Sequence, residues 1–124
     1  MARRINKTKQ ALREGKTVRI AEINRIGSPL LVEAVAIAGF GSVWIDMEHS
    51  HIGLNELSNM IVAGRAADLD VFVRIPHGPY NRIIKTLELG AHGLIWPHCK
   101  SADQARNLVH MAKYRPLGLR GMGG

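Results

Sequence analysis

Asp46, Glu48 and His49 crowd into four positions directly after the apolar run Val43-Trp44-Ile45, and Arg74 closes a second run, Val71-Phe72-Val73. A carboxylate at the inner end of a strand is costly to bury unless it is paired. Asp46 therefore calls for a cation, a metal or several donors, and a pair with Arg74 or a cap on the next helix would serve as a purely structural use. His49 lies three residues on, close enough for Asp46 to orient its imidazole. A histidine so held is a usable general base, because imidazole titrates near neutrality and the carboxylate fixes its tautomer. Arg74 sits at a strand end rather than on a solvated helix, where a guanidinium fork can grip a carboxylate or phosphate through two parallel bonds.

Other polar residues carry weaker signals. His51 and His77 fall in loops, and His98 follows a strand-like run; all three could line the same site. His92 and His110 read as surface or packing residues, and Trp44 and Trp96 as core. The single cysteine, Cys99, excludes an internal disulfide and reads as an ordinary thiol near a loop. There is no HxxxH, HExxH or Cys/His cluster, no GxGxxG after the first strand and no Walker loop, so neither a zinc site nor a nucleotide-cofactor domain is supported within this sequence.

Short β-rich runs alternate with helical patterns of ten or more residues, which predicts an α/β fold with a parallel sheet. Four βα units are marked by strands at 17–23, 42–47, 70–75 and 93–96. Ser28-Pro29 opens the first crossover helix, with Leu31, Val32, Val35 and Ile37 as its buried face and Gly39 as its stop. Leu57, Met60 and Ile61 share a face of the next helix. Ile83, Ile84 and Leu87 mark the third helix before Gly90, and Ser101 with Gln104 caps a last helix striped by Ala105, Leu108, Val109 and Ala112. Ligands in parallel βα architectures bind at the loops after the strands. That rule brings Glu22 and Asn24, Asp46 with Glu48 and His49, Arg74 with His77, and His98 to one rim.

The 124 residues carry a formal charge of +7, but residues 1–25 hold eight Lys/Arg against Glu14 and Glu22. The basic character belongs to the leader, read as a solvated helix over residues 1–16 with Ile5 and Leu12 on its apolar side. This argues against a nucleic-acid partner for the fold itself. No run approaches the roughly eighteen apolar residues of a membrane span, and the first sixteen residues lack the apolar block of a secretory signal, which points to a cytoplasmic protein.

Taken together, Ala38-Gly39-Phe40, Trp44-Ile45-Asp46-Met47-Glu48-His49, Val73-Arg74-Ile75-Pro76, Ile95-Trp96-Pro97 and Gly118-Leu119-Arg120-Gly121 resemble the HpcH/HpaI aldolase/citrate lyase family. The match is with its 2-keto-3-deoxy sugar acid and 4-hydroxy-2-oxo-acid aldolase branch. Arg115 and His98-Cys99-Lys100 depart from the commoner pattern. The resemblance implies a (β/α)8 TIM barrel, of which residues 1–124 would be the first half, a partial barrel domain of about four βα units lacking its C-terminal half. It implies a class II aldolase that cleaves or forms a carbon–carbon bond next to pyruvate in a 2-oxo acid, with an aldehyde as second partner. It also implies Mg²⁺, Mn²⁺ or Co²⁺ and a homo-oligomer, trimeric or hexameric.

On that resemblance Arg74 would bind the pyruvate carboxylate and steady the enolate oxygen. His49, held by Asp46, would be the base for the aldol hydroxyl. Glu48 would hydrogen-bond a water on the metal rather than the metal itself. The metal's own ligands, a glutamate and an aspartate, would lie beyond residue 124, leaving none in this sequence, so the half alone is expected to be inactive. Lys85 on a helix and Lys100 beyond a strand end are poorly placed for a Schiff base. Two other classes stand beside this reading: a non-catalytic half-barrel that associates through its open strand edges, and a polyanion-binding leader with strongly salt-dependent affinity. A small flavodoxin-like domain is the alternative fold.

Overall fold

The computed structural model describes residues 5–122. Its elements run α1 (Lys7–Arg13), β1 (Ile20–Ile23), α2 (Pro29–Ile37), β2 (Ser42–Asp46), α3 (Leu54–Ala66), β3 (Asp70–Arg74), α4 (Tyr80–Glu88), β4 (Gly93–Ile95) and α5 (Ala102–Ala112). The four strands pair in parallel in sequence order, β1-β2-β3-β4, each joined to the next by a helix. This is a partial (β/α)-barrel architecture, four of the eight units that close a barrel. Among the described residues no helix is long and apolar enough to cross a membrane.

Local chemistry sets the boundaries. Ser28 Oγ accepts the Leu30 amide at 3.3 Å, with Pro29 as the first residue of α2. Gly39 (φ +82°) and Gly90 (φ +107°) follow α2 and α4 in the left-handed region, a conformation that a Cβ disfavours. Ser101 Oγ accepts the Gln104 amide at 3.2 Å, while Gln104 Oε1 reaches back to Lys100 N at 2.8 Å, one residue earlier than a capping box requires.

Strand alternation divides the sheet into two faces. Val43, Ile45, Val71 and Val73 are fully buried, in one core with Val32 of α2, Leu57, Met60 and Ile61 of α3, and Ile83 of α4. The opposite face carries Glu22, Trp44, Phe72 and Gly93 in one row of the register and Asp46, Arg74 and Ile95 in the next. A Cβ at Gly93 would stand 2.7 Å from the Phe72 ring, so glycine leaves room for that aromatic. Gly64 does the same for α3, because a Cβ there would overlap Val71 Cγ2. Gly64→Ala should therefore destabilise the protein by roughly 1–3 kcal/mol through overpacking, read from urea unfolding; a loss under about 0.5 kcal/mol would contradict this contact.

Several expectations need correction. β2 is buried along its length except at Trp44, which is only half-buried rather than part of the core. Leu31 and Ile37 do not join Val32 and the partly buried Val35 against the core: Leu31 is 37% and Ile37 87% exposed, with no described element covering them. No residue of α5 is fully buried and Val109 is exposed, so its stripe packs only in part, through Leu108, Met111 and Ala112. β1 starts at Ile20, and no strand follows α5 among the described residues. The first helix spans Lys7–Arg13, residues 1–4 lying outside the described part, and Ile5 and Leu12 are exposed. Polar contacts anchor it instead: Thr8 N donates to Asp70 Oδ2 at 2.6 Å, Asn6 Nδ2 to His92 O at 3.1 Å, and Lys7 pairs with Asp68.

Candidate active site at the C-terminal strand ends

Asp46 and Arg74 end β2 and β3 as direct partners in the parallel register. Their side chains meet side-on: Arg74 Nε donates to Asp46 Oδ1 at 2.9 Å and Nη2 to Oδ2 at 2.6 Å. Asp46 is 1% exposed and also accepts the Glu48 amide at 2.8 Å and the His49 amide at 3.4 Å. The carboxylate is thus both an ion-pair partner and the organiser of the loop behind it. Hydrogen bonds from Arg74 hold its pKa below the usual aspartate value against the opposing effect of burial, and Asp46 raises that of Arg74 in turn. The Trp44 ring lies 5.0 Å under the guanidinium, completing its support.

This grip uses Nε–H and one Nη2–H, leaving the Nη1–Nη2 edge of the fork without a partner among the described residues. A planar guanidinium pinned on one side and open on the other is suited to bidentate recognition of a second carboxylate.

Glu48 is the hub of the rim. Its Oε2 lies 3.5 Å from Arg74 Nε and 3.5 Å from His49 Nε2, and its Oε1 lies 3.5 Å from His98 Nε2. All three contacts are too long for hydrogen bonds, and Oε2 is buried without one. His49 thus departs from expectation: Asp46 receives its backbone amide, while its ring turns to Glu48. Arg74 already saturates the near side of Asp46, so the second carboxylate is the one left for the imidazole.

His77 stands beside this group rather than within it, its Nε2 2.7 Å from Pro97 O and its ring edge-on to Trp96 at 4.6 Å. Glu22 contributes to the field at Arg74 and accepts Asn24 Nδ2 at 3.4 Å. His51 and Cys99 are exposed in loops. Lys85 lines a groove with residues of α3, away from the rim, and Lys100 is exposed beyond β4. His92 belongs to the other end of the sheet, where Nδ1 accepts the Val71 amide at 3.0 Å, and His110 is exposed on α5. Among the described residues no group of three or more His, Cys, Asp or Glu could hold a metal ion. The support from Trp44 and the partnership of Glu48 with His98 were missed in the sequence, since both depend on register and loop path.

A half-barrel of parallel βα units with charged side chains converging at the C-terminal strand ends is the arrangement in which α/β barrels carry their active sites. The chain belongs to the HpcH/HpaI aldolase/citrate lyase family, whose model matches residues 26–124. It is 37% identical over 121 residues to a 4-hydroxy-2-oxovalerate aldolase of Rhodococcus jostii, covering 97% of this chain and 46% of that protein. It is 34% identical over 111 residues to a 4-hydroxy-4-methyl-2-oxoglutarate aldolase of Chaetomium globosum, covering 89% and 41%. The crystal structure of an HpcH/HpaI aldolase from Desulfitobacterium hafniense superposes with a TM-score of 0.88 at 34% identity, covering 94% of this chain and 45% of that one. The chain thus spans about half the length of these relatives.

Proposed function

We propose that this chain forms the carboxylate-anchoring half of a metal-dependent pyruvate aldolase acting on a 4-hydroxy-2-oxo acid. The observation that carries the reading is the Arg74 guanidinium, fixed side-on by Asp46 with its other edge open at the rim beside Glu48 and His49. Two relatives are named for cleaving substrates of this class, which supports the substrate assignment.

In retro-aldol cleavage the C4 hydroxyl loses its proton, the C3–C4 bond breaks to leave a carbonyl compound, and the electron pair passes into a pyruvate enolate. Arg74 binds the C1 carboxylate and steadies the oxygen on which negative charge grows. His49 takes the hydroxyl proton at Nε2, and Glu48 stabilises the imidazolium so formed. A divalent metal, when bound, supplies the Lewis acid for the enolate. Among the described residues no group would hold such an ion by itself, and Glu48, whose Oε2 makes no hydrogen bond, would accept from a water on the metal rather than bind the metal. In this reading the metal's ligands would come from the other half of the barrel.

The direct test is pyruvate release from 4-hydroxy-2-oxo acids by the barrel completed with a C-terminal half, with and without chelator. Activity that requires both the second half and added divalent metal supports the reading; turnover by residues 1–124 in chelator would overturn it. His49→Gln in the complete barrel should lower kcat by about 10²–10⁴-fold with little change in KM. A loss of kcat under about threefold would reassign the base.

A further inference from the structure

At the opposite end of the strands lies a cleft of about 550 Å³ lined by Ile5, Asn6, Lys9, Gln10, Arg13, His92 and Lys113. Four of these, Asn6, Lys9, Gln10 and Arg13, recur at three- and four-residue spacing and form one stripe of α1 or its cap. Lys113, the residue that caps α5, faces them across the opening. The cleft contains three cations and no carboxylate.

The neighbouring acids are all committed elsewhere. Asp68 pairs with Lys7, Asp70 accepts the Thr8 amide and lies 3.5 Å from His92, and Glu14 holds Lys16 at 2.6 Å and Gln10 at 3.1 Å. Other basic residues of the chain follow the same habit, Arg74 with Asp46 and Arg106 with Asp103. For the side chains of Lys9, Arg13 and Lys113 no ion pair is recorded among the described residues. A cation near a helix C-terminus is favoured by the dipole, which accounts for Arg13 and Lys113 singly. It accounts neither for Lys9 four residues before Arg13, a repulsive spacing, nor for the convergence of all three on one concavity.

We infer that this cleft is a second binding site, for a small multivalent anion of the phosphate class. Arg13 offers a planar fork to two oxygens, Lys9 and Lys113 act as point charges, and the volume suits a diphosphate or a phosphorylated metabolite. Charge that meets across a concavity, Lys9 and Arg13 on one side and Lys113 on the other, fits a compact anion better than a polynucleotide. The length of β3, about 13 Å, lies between this end of the sheet and the Arg74 rim, and the site does not depend on the aldolase reading.

Inorganic pyrophosphate titrated into the protein, followed by amide chemical shifts, tests this. Saturable one-to-one binding is expected, with shifts at Asn6, Gln10, His92 and Lys113. The Arg13→Gln/Lys113→Gln variant should bind at least about tenfold more weakly, and Lys9→Gln/Lys113→Gln should do the same if the first pair folds poorly. Lys85→Gln, outside the cleft, should leave affinity unchanged. Absence of saturation by about 10 mM, equal weakening by Lys85→Gln, or an oligonucleotide that binds ever more tightly with length while pyrophosphate does not bind would overturn the assignment.

Discussion

Arg74→Lys in the completed barrel is expected to lower kcat/KM for retro-aldol cleavage by about 10²–10³-fold, the usual cost of losing one well-aimed donor to a developing oxyanion. Lysine keeps the charge and loses the fork. A single ammonium cannot hold Asp46 side-on and still offer a second, coplanar pair of donors to a substrate carboxylate. Both KM and kcat should suffer, because the carboxylate is gripped in ground and transition states whereas the enolate charge exists only in the latter. Lysine is a better probe than alanine, which would also leave Asp46 buried without its cation. A change in kcat/KM of less than about threefold would mean that Arg74 serves Asp46 alone.

The second large effect is on stability. Asp46→Ala removes the partner of a guanidinium whose side chain is only 21% exposed, and with it the acceptor for two loop amides. The expected loss is about 3–5 kcal/mol, the range for breaking a buried pair from one side. Arg74 depresses the Asp46 pKa in the folded state, so the folded protein binds this proton less readily than the unfolded chain does. The stabilisation is therefore complete above the unfolded aspartate pKa of about 3.9 and is lost as pH falls through the lower folded value. Asp46→Asn should show its deficit at neutral pH and approach the unsubstituted protein as the medium becomes strongly acidic. Urea unfolding at both pH values checks this; a neutral-pH loss below about 1 kcal/mol for Asp46→Ala would show that the pair is replaceable.

Much of the rim could be read from residue order. Val43-Trp44-Ile45 and Val71-Phe72-Val73 announce strands, and the parallel rule places the residues after each strand at one end of the sheet. The α2 start was legible because Ser28 and Pro29 act through local backbone chemistry. The features that escaped reading depend on contacts between distant segments. The Asp46–Arg74 pair, 28 residues apart, is one of the uses the sequence offers for Asp46, but its side-on geometry and the Trp44 ring beneath it follow only from the strand register. Once that bond saturates Asp46, the nearest remaining carboxylate for His49 is Glu48, an outcome set by competition rather than spacing. The first helix misled for a similar reason: its Thr8 amide answers a carboxylate 62 residues away, so its attachment is polar although its pattern looked amphipathic. The Ile37 flank and the Val109 side of α5 were expected to be buried because periodicity marks which side of a helix is apolar, not whether a neighbour covers it.

The central claim is that the free edge of the Arg74 fork takes a 2-oxo acid carboxylate. Pyruvate titrated into the completed barrel with guanidinium nitrogens labelled, in the presence of Mg²⁺, tests it most directly. The account predicts saturable shifts of the Arg74 Nη signals and their absence, together with the binding, in Arg74→Lys. Saturable pyruvate binding that leaves the Arg74 signals unmoved, or that survives in Arg74→Lys with unaltered affinity, would contradict it.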